Sequence, residues 1–339
     1  LLINNQYKFQ FEPYHRQFKI PLRTSHGIWQ IREGIIITLK DTEGNIGQGE
    51  IAPLAWFGSE TLEEAKKFCQ QLGNKITKEV IFNISDRLPA CQFAFESAFN
   101  NLTEKPLADL EQKVNSAYLL PTGKEVLTAE GGLPSHGGHS QAPPLQGGER
   151  MTQDYPIKSN LVSPTFKWKI GLTDINTELT WVKQLIAKLS PNAQLRLDAN
   201  GGLTLKDAHQ WLEFAQNQTI IEFIEQPLPP SQLAEMMMLQ QIYSTTLALD
   251  ESVANISQLK FCYDRGWRGI FTIKAAIAGY PSHLRQFCQS NQLDLVFSSV
   301  FETKIGLQAA LALALELGNR DRAMGFGVGH WFSDDKART

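Results

Sequence analysis

The chain has 339 residues, with 32 Lys and Arg against 35 Asp and Glu, a formal charge of −3 and 4 cysteines. That length is too great for one small core and too short for three ordinary domains, which predicts one large α/β domain with a smaller companion. Acid and base are interleaved along the chain, so neither nucleic acid nor an anionic membrane surface is expected as a partner.

Cys69, Cys91, Cys262 and Cys288 lie far apart and form no C-x-x-C pair. They fit neither a zinc site nor a disulfide framework and point to a reducing cytoplasm. The first residues, LLINNQYKFQFEPY, lack the basic-then-apolar order of a secretory signal. No apolar run approaches the roughly 20 residues of a membrane span.

Residues 1–105 mix strand-like runs, turns and one helical pattern, an α+β unit without a repeat. Gly34–Leu39 is β-branched and short, Asp41–Asn45 reads as a turn, and Gly47–Ala52 resumes as a strand, together a hairpin. Ser59 stands at an N-cap position for a helix whose apolar groups recur at Leu62, Ala65, Phe68 and Cys69.

Over 106–330 the pattern changes to short apolar strands separated by amphipathic helices. The expected strands are Val114–Leu120, Thr165–Ile170, Gln194–Asp198, Ile220–Glu225, Thr246–Asp250, Gly269–Lys274, Asp294–Ser298 and Ala323–Gly327. Eight strands alternating with helices predict a modified TIM barrel. Because only a short tail follows Gly327, the final helix is expected to be lost or rearranged, which gives a barrel of the (β/α)7β type with the N-terminal α+β unit expected as a capping domain. One stretch, 123–160, is rich in Gly, Pro, Ser and Gln without apolar periodicity and reads as a surface insertion. Its His136 and His139 are expected to be solvated rather than metal ligands. Met236-Met237-Met238 reads as part of a packed helix, and His330-Trp331-Phe332 as a tail packed on the barrel or rejoining the N-terminal domain.

Five short pieces end consecutive expected strands, where barrel active sites are built: Lys167-Trp168-Lys169, Asp198-Ala199-Asn200, Glu225-Gln226-Pro227, Asp250-Glu251-Ser252 and Lys274. Asp198, Glu225 and Asp250 each close an otherwise apolar strand. Three carboxylates brought to one barrel mouth repel one another unless a cation lies among them. An all-oxygen set suits Mg²⁺, with Mn²⁺ as a substitute, better than zinc. In Lys167-Trp168-Lys169 the two lysines are one residue apart, so on a strand both point to the same face. Repulsion between two ammonium groups facing a divalent cation favours the neutral amine on one of them, a usable general base. The chemistry such a set performs is proton removal beside a carboxylate, with cations placed where the enediolate charge develops.

These residues resemble the enolase superfamily, and within it the muconate cycloisomerase subgroup. GQGEIAPLAWFGSETLEEA, TFKWKIG, LRLDANGG, FIEQPL, LALDES and SSVFETKIG are, in that order, similar to the motifs of the o-succinylbenzoate synthase family. The resemblance implies Lys169 as the base, Lys274 and Lys167 as ammonium groups stabilising the enediolate, and Asp198, Glu225 and Asp250 as Mg²⁺ ligands. It implies a small carboxylate substrate, 2-succinyl-6-hydroxy-2,4-cyclohexadiene-1-carboxylate, dehydrated to o-succinylbenzoate for naphthoquinone synthesis. Oligomeric state, monomer or homo-oligomer, is left open.

For substrate contacts, Arg196 shares the inward face with Asp198 and reads either as a contact to substrate or metal ligand, or as a salt bridge beneath the site. Ser298 and Ser299 read as holding the succinyl group or capping the next helix. Arg23-Thr24-Ser25-His26-Gly27 resembles the family's specificity loop, with Thr24 as a substrate contact and His26 as a surface residue; Phe57-Gly58 resembles a second cap segment. N-succinylamino acid racemisation and dipeptide epimerisation would use the same lysines and metal, but Gly325-Phe326-Gly327 lacks the acid that holds a dipeptide ammonium. A non-catalytic small-acid-binding barrel would be expected to have lost one of the five groups, and all are present.

Overall fold

The computed structural model describes residues 6–24, 27–103, 109–128 and 164–332. By compactness the chain divides into two units, one of Leu1–Ser116 with Leu249–Thr339 and one of Ala117–Ala248.

In the first unit β1 (Gln6–Thr24), β2 (Gly27–Lys40) and β3 (Ile46–Ile51) form an antiparallel meander, followed by α1 (Leu62–Gln71), β4 (Lys75–Thr77), α2 (Lys78–Phe82), α3 (Pro89–Thr103) and the short α4 (Leu110–Lys113). The sheet order is β3-β2-β1-β4. Ile35, Ile37 and Leu39 of β2, all fully buried, alternate along the strand and form the apolar face of this sheet, and α3 packs against β2 and β3. Close packing of α3 requires Gly47 and Gly49: a Cβ at these positions would stand 1.9 Å from the Ala98 carbonyl oxygen and 2.0 Å from that of Ala94. Helix α1 begins two residues later than expected. Thr61, not Ser59, is its N-cap, in a capping box with Glu64, because the Ser59 hydroxyl is already used by the Leu54 amide at 2.7 Å.

The second unit runs from β5 (Ser116–Leu119), which straddles its boundary, through α5 (Glu125–Thr128), β6 (Thr165–Lys169), α6 (Ile175–Lys188), β7 (Gln194–Asp198), α7 (Leu205–Ala215), β8 (Ile221–Glu225) and α8 (Leu233–Ile242) into β9 (Leu247–Leu249). Phe166 and Trp168 are buried at 1% and 0% exposure while Lys167 and Lys169 between and beyond them are partly exposed, the alternation of a strand with one face in the core. Helices α6 and α7 start on Asp174 and Thr204, whose side-chain oxygens accept from amides of the first turn. The stretch expected as an insertion opens with α5, where Val126 is buried; His136, His139 and everything from 129 to 163 lie outside the described residues. Of the three methionines in α8 only Met236 is fully buried, and Met238 is exposed.

The chain returns to the first unit with α9 (Ile256–Asp264), β10 (Ile270–Ile273), α10 (Ala275–Ala278), α11 (Pro281–Ser290), β11 (Asp294–Phe297), α12 (Lys304–Leu317) and β12 (Met324–Gly327). Eight strands hydrogen-bond in the order β11-β10-β9-β8-β7-β6-β5-β12, and a parallel bridge from Ser298 to Gly325 joins the two ends of that order. The sheet therefore closes as the expected barrel, each strand within two residues of its expected limits. Phe332 bridges to Phe18 of β1 and stacks on its ring at 4.7 Å, so the tail packs on the N-terminal sheet.

Candidate active site

Parallel register sets Lys169, Asp198 and Glu225 abreast at the ends of β6, β7 and β8, since Lys169 pairs with Asp198 and Asp198 with Glu225. Side chains at paired positions of a parallel sheet point to the same side. Lys169 Nζ donates to Asp198 Oδ2 at 2.7 Å and to Asn200 Oδ1 at 2.5 Å. Lys167 Nζ lies 2.9 Å from the same Asp198 oxygen and 2.6 Å from Glu225 Oε1. Both lysines thus share one face, as the one-residue spacing requires.

Asp198 is fully buried, and burial by itself would favour its neutral form. The ammonium groups of Lys167 and Lys169 outweigh that and hold the carboxyl well below the ordinary carboxylate range. Just after β7 and β8, Asn200 and Gln226 have φ of 45° and 38°, in the left-handed region where Asn is tolerated better than most residues. That turn aims the Asn200 amide back at Lys169, while its own N–H donates to Asp198 Oδ1 at 3.1 Å.

In the other unit, Asp250 follows β9 and Lys274 follows β10, and Lys274 Nζ donates to both carboxylate oxygens of Asp250. Asp250 is buried and Lys274 half-buried, at 3% and 11% side-chain exposure. On a second side, Lys274 Nζ lies 3.9 Å from the centroid of the Phe57 ring. Ser298 is half-buried. The Ser299 hydroxyl donates to Glu302 Oε2 at 2.8 Å and accepts from the Phe301 amide, and so organises its own turn.

Beneath that turn, Glu50 of β3 gathers the Tyr14 hydroxyl at 2.5 Å, the Thr303 amide and hydroxyl, and the Gly306 amide. It thereby caps α12 from another strand of the unit. Glu302, fully buried, is pushed up to about 7 by desolvation and by the nearby charge of Glu50, against the hydrogen bonds it accepts.

Of the two readings of Arg196, the structure displays the salt bridge. Its Nε donates to Glu222 Oε2 at 2.7 Å, its guanidinium lies over the Phe223 ring at 4.7 Å, and it is 2% exposed. The Thr24 side chain and His26 lie outside the described residues. Sequence reasoning assigned no role to Asn200, Glu222 or Glu302. An acid inside an apolar strand, as in IIEFIE, was the available signal for Glu222, and its partner one strand away was not.

The fit of a divalent cation follows from the donors present. Among the described residues no three acidic, His or Cys side chains stand ready to hold a metal ion; Asp198, Glu225 and Asp250 are each turned onto a lysine ammonium. Carboxylates buried this completely need a cation, and an oxygen-only set suits hard Mg²⁺.

A closed parallel barrel with lysines and carboxylates at its strand ends, in a chain that also carries an antiparallel N-terminal sheet, defines the class of enolase-like barrels. Residues 160–338 match the family described as enolase C-terminal domain-like, and residues 15–102 match the MenC N-terminal domain. An o-succinylbenzoate synthase of Thermosynechococcus vestitus is 35% identical over 330 residues, covering 96% of this chain and 94% of that protein. The crystal structure of the Thermosynechococcus elongatus BP-1 o-succinylbenzoate synthase, with Mg in its active site, superposes with a TM-score of 0.80 at 34% identity, over 96% of this chain and 94% of that one. The L-Ala-D/L-Glu epimerase of Bacillus subtilis shares the fold at a TM-score of 0.73 and 18% identity, over 97% and 91% of the two chains. The chain belongs to the o-succinylbenzoate synthase family of the enolase superfamily.

Proposed function

We propose that this chain is a Mg²⁺-dependent hydro-lyase that dehydrates 2-succinyl-6-hydroxy-2,4-cyclohexadiene-1-carboxylate to 2-succinylbenzoate, a step toward menaquinone or phylloquinone. The reaction type is supported by the register that sets Lys169 beside Asp198 and Glu225. The substrate is supported by the 35% identity to the Thermosynechococcus vestitus synthase across nearly the whole of both chains.

In this reading the Lys169 amine takes the proton from the carbon bearing the substrate carboxylate. The C–H electrons move into that carboxylate as an enediolate, beside the ammonium groups of Lys274 and Lys167. The electrons then return to expel the hydroxyl group from the neighbouring ring carbon. The proton held on Lys169 passes to the departing oxygen, so water leaves and the ring becomes aromatic. Asn200 and Asp198 fix two of the directions around Lys169 Nζ, which leaves the remaining direction for substrate. Asp198, Glu225 and Asp250 are proposed to hold Mg²⁺, which supplies fixed positive charge for the developing enediolate.

A cytoplasmic location accords with cysteines that are all free thiols, and no helix among the described residues is long and apolar enough to cross a membrane. Epimerisation of dipeptides is disfavoured by β12, whose Gly325-Phe326-Gly327 supplies no carboxylate for a substrate ammonium.

The test is a spectrophotometric dehydration assay with that substrate and Mg²⁺. Turnover is expected, with a loss of about 10²–10⁴-fold in Lys169→Ala, the usual range for a general base, and abolition by EDTA. A folded, Mg²⁺-supplied protein without turnover would overturn the substrate assignment.

A further inference from the structure

The turn carrying Phe57 is built more firmly than a surface loop needs to be. Its ends are tied by the Leu54 amide to the Ser59 hydroxyl at 2.7 Å, with Phe57 N–H donating to the Leu54 carbonyl at 2.9 Å. Gly58, at φ 120°, permits the reversal. The preceding Pro53 carbonyl accepts from the buried guanidinium of Arg32 at 3.0 Å, and Trp56 packs edge-on against Trp29 at 4.9 Å. The outcome of this anchoring is a half-buried Phe57 ring whose face meets Lys274 Nζ at 3.9 Å. On another side the same ammonium is held by both oxygens of Asp250. Phe57 and Lys274 are 217 positions apart in sequence, in the same compact unit.

A cation over an aromatic face is attracted by the ring quadrupole, and the attraction grows when water is excluded. Leu or Ile would exclude water equally well but offer no such attraction. We propose that Phe57 is a positioning residue for Lys274: its π face fixes the ammonium on one side while Asp250 fixes it on the other. The ammonium then remains where the enediolate charge is to develop, instead of sampling the rotamers open to a lysine. The inference rests on the dehydration reading above, with Phe57 acting only through Lys274.

Two measurements separate this inference from the reading beneath it. The first needs no substrate. In protein carrying ¹³C at the lysine ε-carbons, the Lys274 signal, assigned by its loss in Lys274→Ala, is expected upfield of the other lysines through the ring current of Phe57. It should move to the ordinary lysine position in Phe57→Leu. The second is kinetic. Phe57→Leu, which keeps bulk and apolarity, is expected to lower kcat about tenfold, within the range of a partly desolvated cation–π contact, with KM changed less than threefold. Phe57→Tyr should recover most of that loss, and stepwise fluorination of the Phe57 ring, which weakens the quadrupole at nearly constant shape, should lower kcat stepwise.

An unshifted Lys274 signal, a kcat indifferent to fluorination, or an effect confined to KM would overturn the proposal; the last would make Phe57 a wall of the substrate site. If the ring-current shift is present and Phe57-dependent while the wild-type chain dehydrates nothing, the positioning geometry stands and the substrate assignment fails alone.

Discussion

Single side chains in this protein are placed by partners far away in sequence, and their charge states follow. Glu302 loses its water to burial and gains the field of Glu50, so its proton is released only near pH 7. Its affinity for that proton is higher in the folded chain than in the unfolded one. Stability from this group is therefore fully present below the ordinary glutamate value, and declines as pH rises through about 7. Glu302→Gln removes the dependence: its Tm is expected to gain on wild type between pH 5 and pH 8, in parallel melts. Equal pH dependence in the two proteins would show that Glu302 does not titrate in this window.

Asn200 offers a second test at this scale. Glycine accepts φ of 45° without strain, so Asn200→Gly deletes the contact to Lys169 Nζ while the turn survives. A fall in kcat of about tenfold is expected, the size of one charge-assisted hydrogen bond of roughly 1.5 kcal/mol, with Tm little changed.

Three helices here begin on carboxylates borrowed from elsewhere. Glu60 accepts from the Ala90 and Cys91 amides at the start of α3, Glu96 from the Ser282 amide and hydroxyl at the start of α11, and Glu50 from the first amides of α12. Each neutralises donors that the helix itself leaves unmet. A local N-cap such as Thr61 is legible from its Glu three residues on. A carboxylate arriving from 31 or 253 positions away is not. At this same scale, Gly47 and Gly49 allow β3 and α3 to approach backbone to backbone. Gly49→Ala would drive a methyl into the Ala94 carbonyl. A loss of about 1–3 kcal/mol is expected for such overpacking, read as a lowered urea midpoint at unchanged slope.

Across the molecule, the proposed metal ligands are paired with lysines in the form described, and this predicts how the protein responds to losing its cation. In EDTA the chain should remain folded, since the ammonium groups still compensate the buried acids. Mg²⁺ at a hundred times its dissociation constant should add about 2.7 kcal/mol by mass action, raising Tm. Asp198→Asn and Glu225→Gln should each abolish that Mg²⁺-dependent rise, and a rise that persisted in both would place the cation elsewhere.

Sequence by itself determined the barrel, because buried strands and amphipathic helices carry their own periodicity and the strands fell within two residues of their expected limits. It also determined the line of Lys169, Asp198 and Glu225, since an ionic residue ending an apolar strand can only emerge at the strand's end. Only the tertiary structure decided what each side chain touches. Arg196 is taken by Glu222, Ser59 is used by the Leu54 amide so that Thr61 caps α1, Phe332 lies on Phe18, and Lys274 rests on Phe57. Periodicity records which way a residue faces. Which partner waits there depends on strand pairing and chain return, and those are settled by the packing of the whole.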